Sequence, residues 1–136
     1  MSIAEAFASQ LPESLLRLSE DEWSVTKLRD KVIYEATSQA AFESIVEVVL
    51  LASKQTDEYA FASCCWLANT LANLSGTTEE PKGIREALVE ASSTSALFEA
   101  SSELSPLWRW YRLTPNPSIE GMPKRLRLLC TPHVKR

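Results

Sequence analysis

Apolar side chains recur at the helical spacing of three and four residues through most of the first hundred positions. The clearest case is the stretch from Gln39 to Ser53, where Ile45, Val49 and their neighbours leave little of the circumference polar. A helix that is apolar on most sides is buried, so this stretch is predicted to be the central helix. Its β-branched residues make a buried strand the alternative, but the stretch is long for a strand.

Two further helices are predicted before this one. The first covers residues 3–18, and Pro12 is expected either to break it into two pieces or to begin the second piece. Ser19 and Glu22 have the spacing of a capping box, in which the serine side chain accepts a hydrogen bond from the amide three residues on. This spacing predicts a second helix that begins at Ser19 and runs to about Ala36.

The second half of the chain continues the helical pattern. Thr56 is expected to cap a helix that Gly76 ends, because glycine readily takes the left-handed conformation of a helix terminus. Pro81 is expected to open another helix, which a turn over residues 92–95 ends, and a last short helix follows over residues 97–104. Residues 124–130 fit a strand or a short helix, and the pattern does not choose between them.

These elements predict an all-α fold: a compact domain of about six antiparallel helices, helical-repeat-like, with a basic C-terminal extension. Charge supports the division. Residues 1–105 carry 7 Lys and Arg against 17 Asp and Glu, a net charge of −10, whereas residues 106–136 carry 7 against one, a net charge of +6. We therefore expect an acidic helical domain over residues 1–105. The basic, aromatic extension over residues 106–136 is expected to pack on that domain at least through Tyr111.

The cysteines and the N-terminal sequence indicate the cellular compartment in which the protein is expected to occur. The chain has three cysteines, two of them adjacent at positions 64 and 65, which is a poor disulfide framework and favours a reducing environment. The N-terminus lacks the features of a secretory signal, and no apolar run is long enough to span a bilayer. These features predict an intracellular, cytoplasmic protein with no membrane partner. Nuclear location is the alternative, because residues 124–127 resemble a short nuclear-import signal.

No catalytic or metal-binding pattern stands out. Cys130 and His133 have the spacing of half a zinc site, but His133 is the only histidine and the adjacent cysteines cannot readily complete the site. A nucleophilic triad needs a base in a fixed position, and a histidine three residues from the end is poorly placed for one. The prediction is therefore a protein that is not an enzyme and holds no cofactor or metal.

The stretch over residues 41–76 resembles one armadillo repeat, the unit of a family of helical solenoids. Phe42 to Val49 is similar to a helix of the repeat, and Leu71 to Gly76 is similar to its end. The family's groove asparagine then corresponds to Asn73, while Asn69 stands where peptide-binding members have a tryptophan, and the link between the two stretches is longer than in the family. The resemblance implies helical-repeat-like packing and a protein-binding role.

The favoured function is therefore a protein–protein interaction module, an adaptor or an acidic inhibitor or immunity-type protein that covers a basic partner. The alternative is nucleic-acid binding through the extension, because aromatic rings stack on bases while arginines meet phosphates. A hydrolase that uses paired carboxylates is a third hypothesis without positive support. The oligomeric state is left open. The candidate partner-binding residues are Asn69, Asn73, Trp108, Arg109, Trp110, Arg112, Lys124, Arg125 and Arg127.

Overall fold

A computed structural model describes residues 2–98 and 103–113. These residues form six helices and no strand, which confirms the all-α prediction for this part of the chain. A short 3₁₀ turn, Arg17–Ser19, follows the first helix. The helices are α1 (Ile3–Leu16), α2 (Ser24–Val32), α3 (Ser38–Ser53), α4 (Glu58–Ser75), α5 (Ile84–Phe98) and α6 (Ser105–Trp110).

Helix α3 lies at the centre, as its pattern predicted. It packs most extensively against α4 and α5 and also contacts α1. Ile45, Val48 and Val49 are fully or almost fully buried, and a row of polar residues at the spacing of one helical turn is exposed on its outer side. The helix begins one residue earlier than predicted, because Thr37 caps it: the Thr37 Oγ1 accepts a hydrogen bond from the Ala40 amide at 3.0 Å.

Helix α4 is the longest and is also largely buried. It begins after Asp57, whose carboxylate accepts a hydrogen bond from the Ala60 amide at 2.9 Å, so the cap lies one residue beyond the predicted Thr56. It ends at Gly76 in the predicted left-handed conformation, with φ of 69°. Only four residues separate α3 from α4, and the two helices pack along each other, so they form an antiparallel pair.

Helices α1, α3 and α5 run in the same direction. Ala4 and Glu5 line one surface cavity with Glu47 of α3, and further along α1 Leu15 lines another with Gln55, just beyond the end of α3. Across the other side of α3, Gly83 lies against Val46 at the start of α5. Near the end of α5, the Thr94 hydroxyl donates to the Ser53 carbonyl at 2.7 Å. The three helices therefore lie side by side and parallel, with α3 in the middle.

Helix α6 packs on α4 and has the same direction. The Trp66 indole N–H donates to Glu103 at 3.1 Å, and the Trp110 indole N–H donates to the Thr77 carbonyl at 2.8 Å. Trp108 and Tyr111 are both 4% exposed and belong to the core. The chain thus packs on the core through Tyr111. The rest of the extension, residues 114–136, lies outside the described residues, as do residues 124–130 with their open choice of strand or helix.

Two predicted interruptions are wrong. Helix α1 continues through Pro12, although proline removes the hydrogen bond to the carbonyl four residues earlier. Buried Phe7 and Leu11 hold the helix on the core, and the proline ring lies on its exposed side. Helix α5 likewise continues through residues 92–95, where a turn was predicted. Thr94 and Ser95 are buried against the core, and this tertiary packing outweighs the preference of serine and threonine for turns.

The predicted capping box at Ser19 is also wrong. Ser19 ends the 3₁₀ turn, where the Arg17 carbonyl accepts hydrogen bonds from the Glu20 and Asp21 amides. Helix α2 begins only at Ser24 and ends at Val32, four residues before the predicted Ala36. Before it, the Asp21 carboxylate accepts a hydrogen bond from the Trp23 amide at 3.0 Å. The turn thus uses the aspartate, not the serine, to satisfy a backbone donor.

Two further boundaries differ from their predictions. Pro81 lies three residues before α5, and its carbonyl accepts the hydrogen bond from the Ile84 amide that precedes the helix. The short helix predicted over residues 97–104 lies partly outside the described residues, which omit 99–102: residues 97 and 98 belong to α5, and Leu104 is the residue before α6. The true capping box is at Ser2 and Glu5, whose side chains bond each other's amides at 3.0 and 2.9 Å.

Candidate interaction surfaces

The groove between α4 and α6 brings together three of the predicted contact residues. Asn69, Asn73 and Trp110 line a small cavity of about 40 Å³ with Pro106 and Leu107. The Asn73 side-chain amide donates to the Asn69 carbonyl at 2.9 Å. The side-chain oxygen of Asn69 is shielded from solvent and accepts no hydrogen bond within the described structure. The cavity is too small for more than one or two waters, at about 30 Å³ each, so it marks a notch and not a ligand pocket.

Two aromatic residues extend this groove along α4. Tyr59 and Trp66 meet edge to face, with ring centroids 5.8 Å apart and planes at 81°. They are 39% and 37% exposed, respectively. Sequence reasoning did not select them, although a signal was present: Tyr59, Trp66 and Asn73 are seven residues apart and therefore lie on one side of the helix. We call the outer surface formed by Tyr59, Trp66, Asn73 and Trp110 the aromatic groove.

Trp108 and Tyr111 do not reach this surface. Both are almost fully buried, and neither the Trp108 indole N–H nor the Tyr111 hydroxyl has a hydrogen-bond partner among the described residues. Burial, with a smaller contribution from nearby Glu80, raises the pKa of Tyr111 to about 12. Their role is to fix α6 on the core. Neither side chain is therefore accessible on the surface of α6.

The predicted basic residues divide into two groups. Arg109 and Arg112 are exposed at the end of α6, and Arg112 has a positive φ of 56°, which ends the helix. Lys124, Arg125 and Arg127 lie outside the described residues, so the structure does not place them relative to the aromatic groove. Of the nine candidate residues, the structure thus brings together Asn69, Asn73 and Trp110. It places Arg109 and Arg112 near the C-terminal end of α6.

A second surface follows from the parallel packing of α3 and α5. Each of the two helices has a row of exposed residues, and both rows lie on the side away from α4. This follows from the contacts between the helices, Val46 with Gly83 and Ser53 with Thr94, which fix how each helix is rotated about its axis. These rows carry Glu43 and Glu47 on α3 and Glu86 and Glu90 on α5, which we call the acidic face. None of the four forms an ion pair with a lysine or arginine within residues 2–98 and 103–113.

The adjacent cysteines are structural. Cys64 and Cys65 are free thiols in the buried part of α4. Burial raises the pKa of Cys64 to about 12 and also raises the pKa of Cys65, so neither is a thiolate at neutral pH. A thiol without thiolate character is a poor nucleophile and a poor metal ligand. Cys130 and His133 lie outside the described residues.

The described residues contain neither a metal-binding cluster nor a membrane-spanning helix. No three or more His, Cys, Asp or Glu side chains in this part of the chain are grouped as a metal site requires. No helix there has both the length and the apolar character needed to cross a membrane.

Comparison of the chain with models of known families, with curated proteins and with solved structures gave no match.

Proposed function

We propose that the chain is a non-enzymatic protein–protein interaction module, an adaptor or an inhibitor, that covers a basic partner with its acidic face. The observation that carries the proposal is the row of four carboxylates on α3 and α5, none of which forms an ion pair within the described residues. Such a field attracts a positively charged surface and speeds its association. The face lies on two parallel helices held by the most buried part of the core, so it is rigid.

The parallel packing of α1, α3 and α5 supports the proposal that this module is built like a helical-repeat protein. In such proteins neighbouring units bury a continuous core and leave one extended surface for partners. Here α1, α3 and α5 lie side by side, and the aromatic groove occupies the other side of α4. Exposed tyrosine and tryptophan rings are common anchors in protein interfaces. The aromatic groove is accordingly the second surface that we propose to contact protein.

Nucleic-acid binding through the extension has less support. Bases stack on exposed aromatic rings, yet Trp108 and Tyr111 are buried and only Trp110 is partly accessible. We also propose an intracellular location, because two buried, unpaired thiols suit a reducing compartment.

The test of the acidic face is a comparison of two triple variants with the same change in charge. One replaces Glu43, Glu47 and Glu90 with Gln on the acidic face; Glu86 is kept because it lies in the first turn of α5, where a carboxylate stabilises the helix. The control replaces three exposed glutamates outside the helices, which are Glu20, Glu22 and Glu35.

Each immobilised protein is used to capture partners, which are identified by mass spectrometry. We expect basic proteins that bind the wild type and the control variant but not the acidic-face variant, with association rates that fall as salt is added. Equal capture by both variants would show that net charge, and not this face, attracts them. A partner that binds the wild type and both triple variants but not Trp66→Ala would place the interface at the aromatic groove.

A further inference from the structure

The seam between α1 and α2 contains a polar cavity, which is unusual because contacts between helices are normally apolar. The cavity is open on one side and has a volume of about 250 Å³. Gln10, Ser14 and Arg17 line it from one wall, and Ser24, Lys27 and Lys31 line it from the other, with Asp21 and Leu28 completing it. Each set has the spacing of one helix face, so two polar rows oppose each other across the antiparallel pair.

Positive charge is concentrated in this cavity. Residues 1–105 contain only seven lysines and arginines, and three of them, Arg17, Lys27 and Lys31, line it. Among the described residues that line it, Asp21 is the only carboxylate, so the lining carries a formal net charge of +2, with Glu13 just outside it paired to Arg17. The remainder of the domain is strongly acidic. An anion is therefore attracted to this position and repelled from most of the surrounding surface.

The three cations are only weakly committed to other partners. The Lys31 Nζ donates to the neutral side-chain oxygen of Gln10 at 2.9 Å, so its charge is not neutralised there. Lys27 bonds Asp21 at 2.7 Å and Arg17 bonds Glu13 at 2.6 Å, both as exposed pairs. Exposed ion pairs contribute little to stability, so the side chains can turn towards an incoming anion at small cost.

Size and lining restrict the kind of anion. The volume corresponds to about eight waters at ~30 Å³ each, which suits a tetrahedral oxyanion with a small substituent. Drug-sized ligands and cofactors occupy larger pockets, of about 300–1,000 Å³. Within the part of the chain that the structure describes, Leu28 is the only large apolar side chain in the lining, and the lining includes no aromatic ring on which a base could stack. A nucleotide is therefore a poor fit.

We propose that this cavity binds a phosphate group, carried by inorganic phosphate or by a small phosphomonoester. Ammonium and guanidinium groups are the side chains that proteins use most for phosphate, and three of them border one concavity here. Phosphate carries between one and two negative charges at pH 7, which matches the net charge of the lining. The site lies on α1 and α2, apart from the acidic face on α3 and α5, and does not depend on the proposed function.

The proposal is tested by titrating the full chain with inorganic phosphate at constant ionic strength while recording ¹H–¹⁵N NMR spectra. We expect saturable shifts confined to residues 10–31, with a dissociation constant in the millimolar range. Sodium chloride at the same ionic strength should not reproduce them. O-phosphoserine and glycerol 2-phosphate are titrated in parallel: tighter binding than inorganic phosphate would indicate a monoester as the natural ligand, and weaker binding would indicate the free ion.

Two variants give opposite changes that loss of structure does not explain. Lys31→Gln removes a cation and should weaken phosphate binding about fivefold, whereas Asp21→Asn removes the competing carboxylate and should tighten it about fivefold, equivalent to about 1 kcal/mol in each case. Lys54→Gln, an exposed lysine at the end of α3, is the matched control and should change nothing. Absence of saturation at tens of millimolar phosphate, shifts shared with chloride, or an unchanged constant in either cavity variant would overturn the proposal.

Discussion

Helix α2 and the central helices α3 and α4 are held in the fold by very different means. Helix α3 is packed on three sides, and α4 has ten buried residues. Helix α2 has nine residues, of which only Ser24, Val25 and Leu28 are buried, and among the helices its extensive contacts are with α1. On both flanks it exposes an aromatic side chain, Trp23 at 60% and Tyr34 at 82%. The centre is fixed by apolar burial on several sides, whereas α2 buries few residues and packs mainly on α1.

This difference explains where sequence reasoning succeeded. A run of apolar residues at helical spacing has one good solution, because any other register exposes the whole set. The bounds of α3 were therefore predicted to within one residue. Around α2 an apolar stripe runs from Val25 to Ala36, but it does not fix where the helix begins, so the predicted start depended on a capping motif. Capping motifs contribute only about 1 kcal/mol each, and a competing turn readily replaces one.

The largest expected effect is a charge introduced into the centre. Val49 is 1% exposed, and Val49→Asp would leave a carboxylate without a partner in the core. We expect a loss of more than about 3 kcal/mol, enough to unfold a domain of ordinary stability. The measurement is the helical circular-dichroism signal with its thermal melt. Val89→Asp on α5, where the side chain is 37% exposed, is the control and should cost less than about 1 kcal/mol. Wild-type melting of Val49→Asp would contradict the central position of α3.

Matched truncations compare the centre with α2 directly. Leu67 on α4 is completely buried and Leu28 on α2 is 4% exposed, so the two side chains differ little in exposure but much in surroundings. Leu67→Ala should cost about 4 kcal/mol, because the densely packed centre keeps the cavity open. Leu28→Ala should cost about 2 kcal/mol, since a helix with few contacts can shift to fill the space. Urea unfolding measures both, and equal losses would show that α2 is as firmly packed as α4.

The errors of the sequence analysis share a cause. Pro12 and the serine-rich stretch over residues 92–95 were expected to interrupt helices because their intrinsic preferences oppose a helix. In the structure, buried Phe7 and Leu11 hold α1 on the core just before Pro12. Within residues 92–95, Ser92, Thr94 and Ser95 are themselves buried, and the Thr94 hydroxyl donates a hydrogen bond to the end of α3. Intrinsic preference is a small energy per residue, and which residues have tertiary partners is not visible in a single sequence.

The candidate site was predicted in part for a related reason. Asn69 and Asn73 lie on one turn of α4, and local spacing is enough to pair them. Trp110 joins them from α6 across a gap of more than thirty residues, which only the packing of α6 on α4 determines. The acidic face also requires the parallel arrangement of α3 and α5. The charge split of the sequence indicated an acidic body, but it did not indicate which carboxylates share a side.

Substitutions at helix caps are expected to have smaller effects on stability. Asp57 accepts the Ala60 amide at the start of α4, so Asp57→Ala should cost about 1 kcal/mol. Ser19 stands in the 3₁₀ turn and caps no helix, so Ser19→Ala should stay within about 0.5 kcal/mol of the wild type. Chemical unfolding of the two variants side by side measures this difference. A loss of about 1 kcal/mol for Ser19→Ala would restore the capping box that the sequence suggested and would mean that α2 begins earlier in solution.

The smallest effect concerns the ionic bonds that hold the turn before α2. The hydrogen bond from Lys27, followed by that from the Trp23 amide, lowers the pKa of the Asp21 carboxyl. A lowered pKa means that the carboxylate adds stability above its unfolded pKa, and that this stability is lost as the pH falls through the folded value, below about pH 4. Lys27→Met should therefore raise the pKa of Asp21 towards its ordinary value, as followed by carbon-detected NMR of the carboxyl group.

Lys54→Met is the control, since Lys54 lies on α3 and is not among the groups that lower this pKa. Because both members of the Asp21–Lys27 pair are exposed, overall stability should hardly change in the same experiment. Helices α3 and α4 form no ion pairs with the other described residues. An acid-induced change confined to the amides of residues 20–32 would therefore identify α2 as the part that loosens first. An Asp21 pKa that is the same in Lys27→Met and the wild type would mean that the Trp23 amide alone holds the carboxylate. The turn before α2 would then be a backbone device independent of its surface charges.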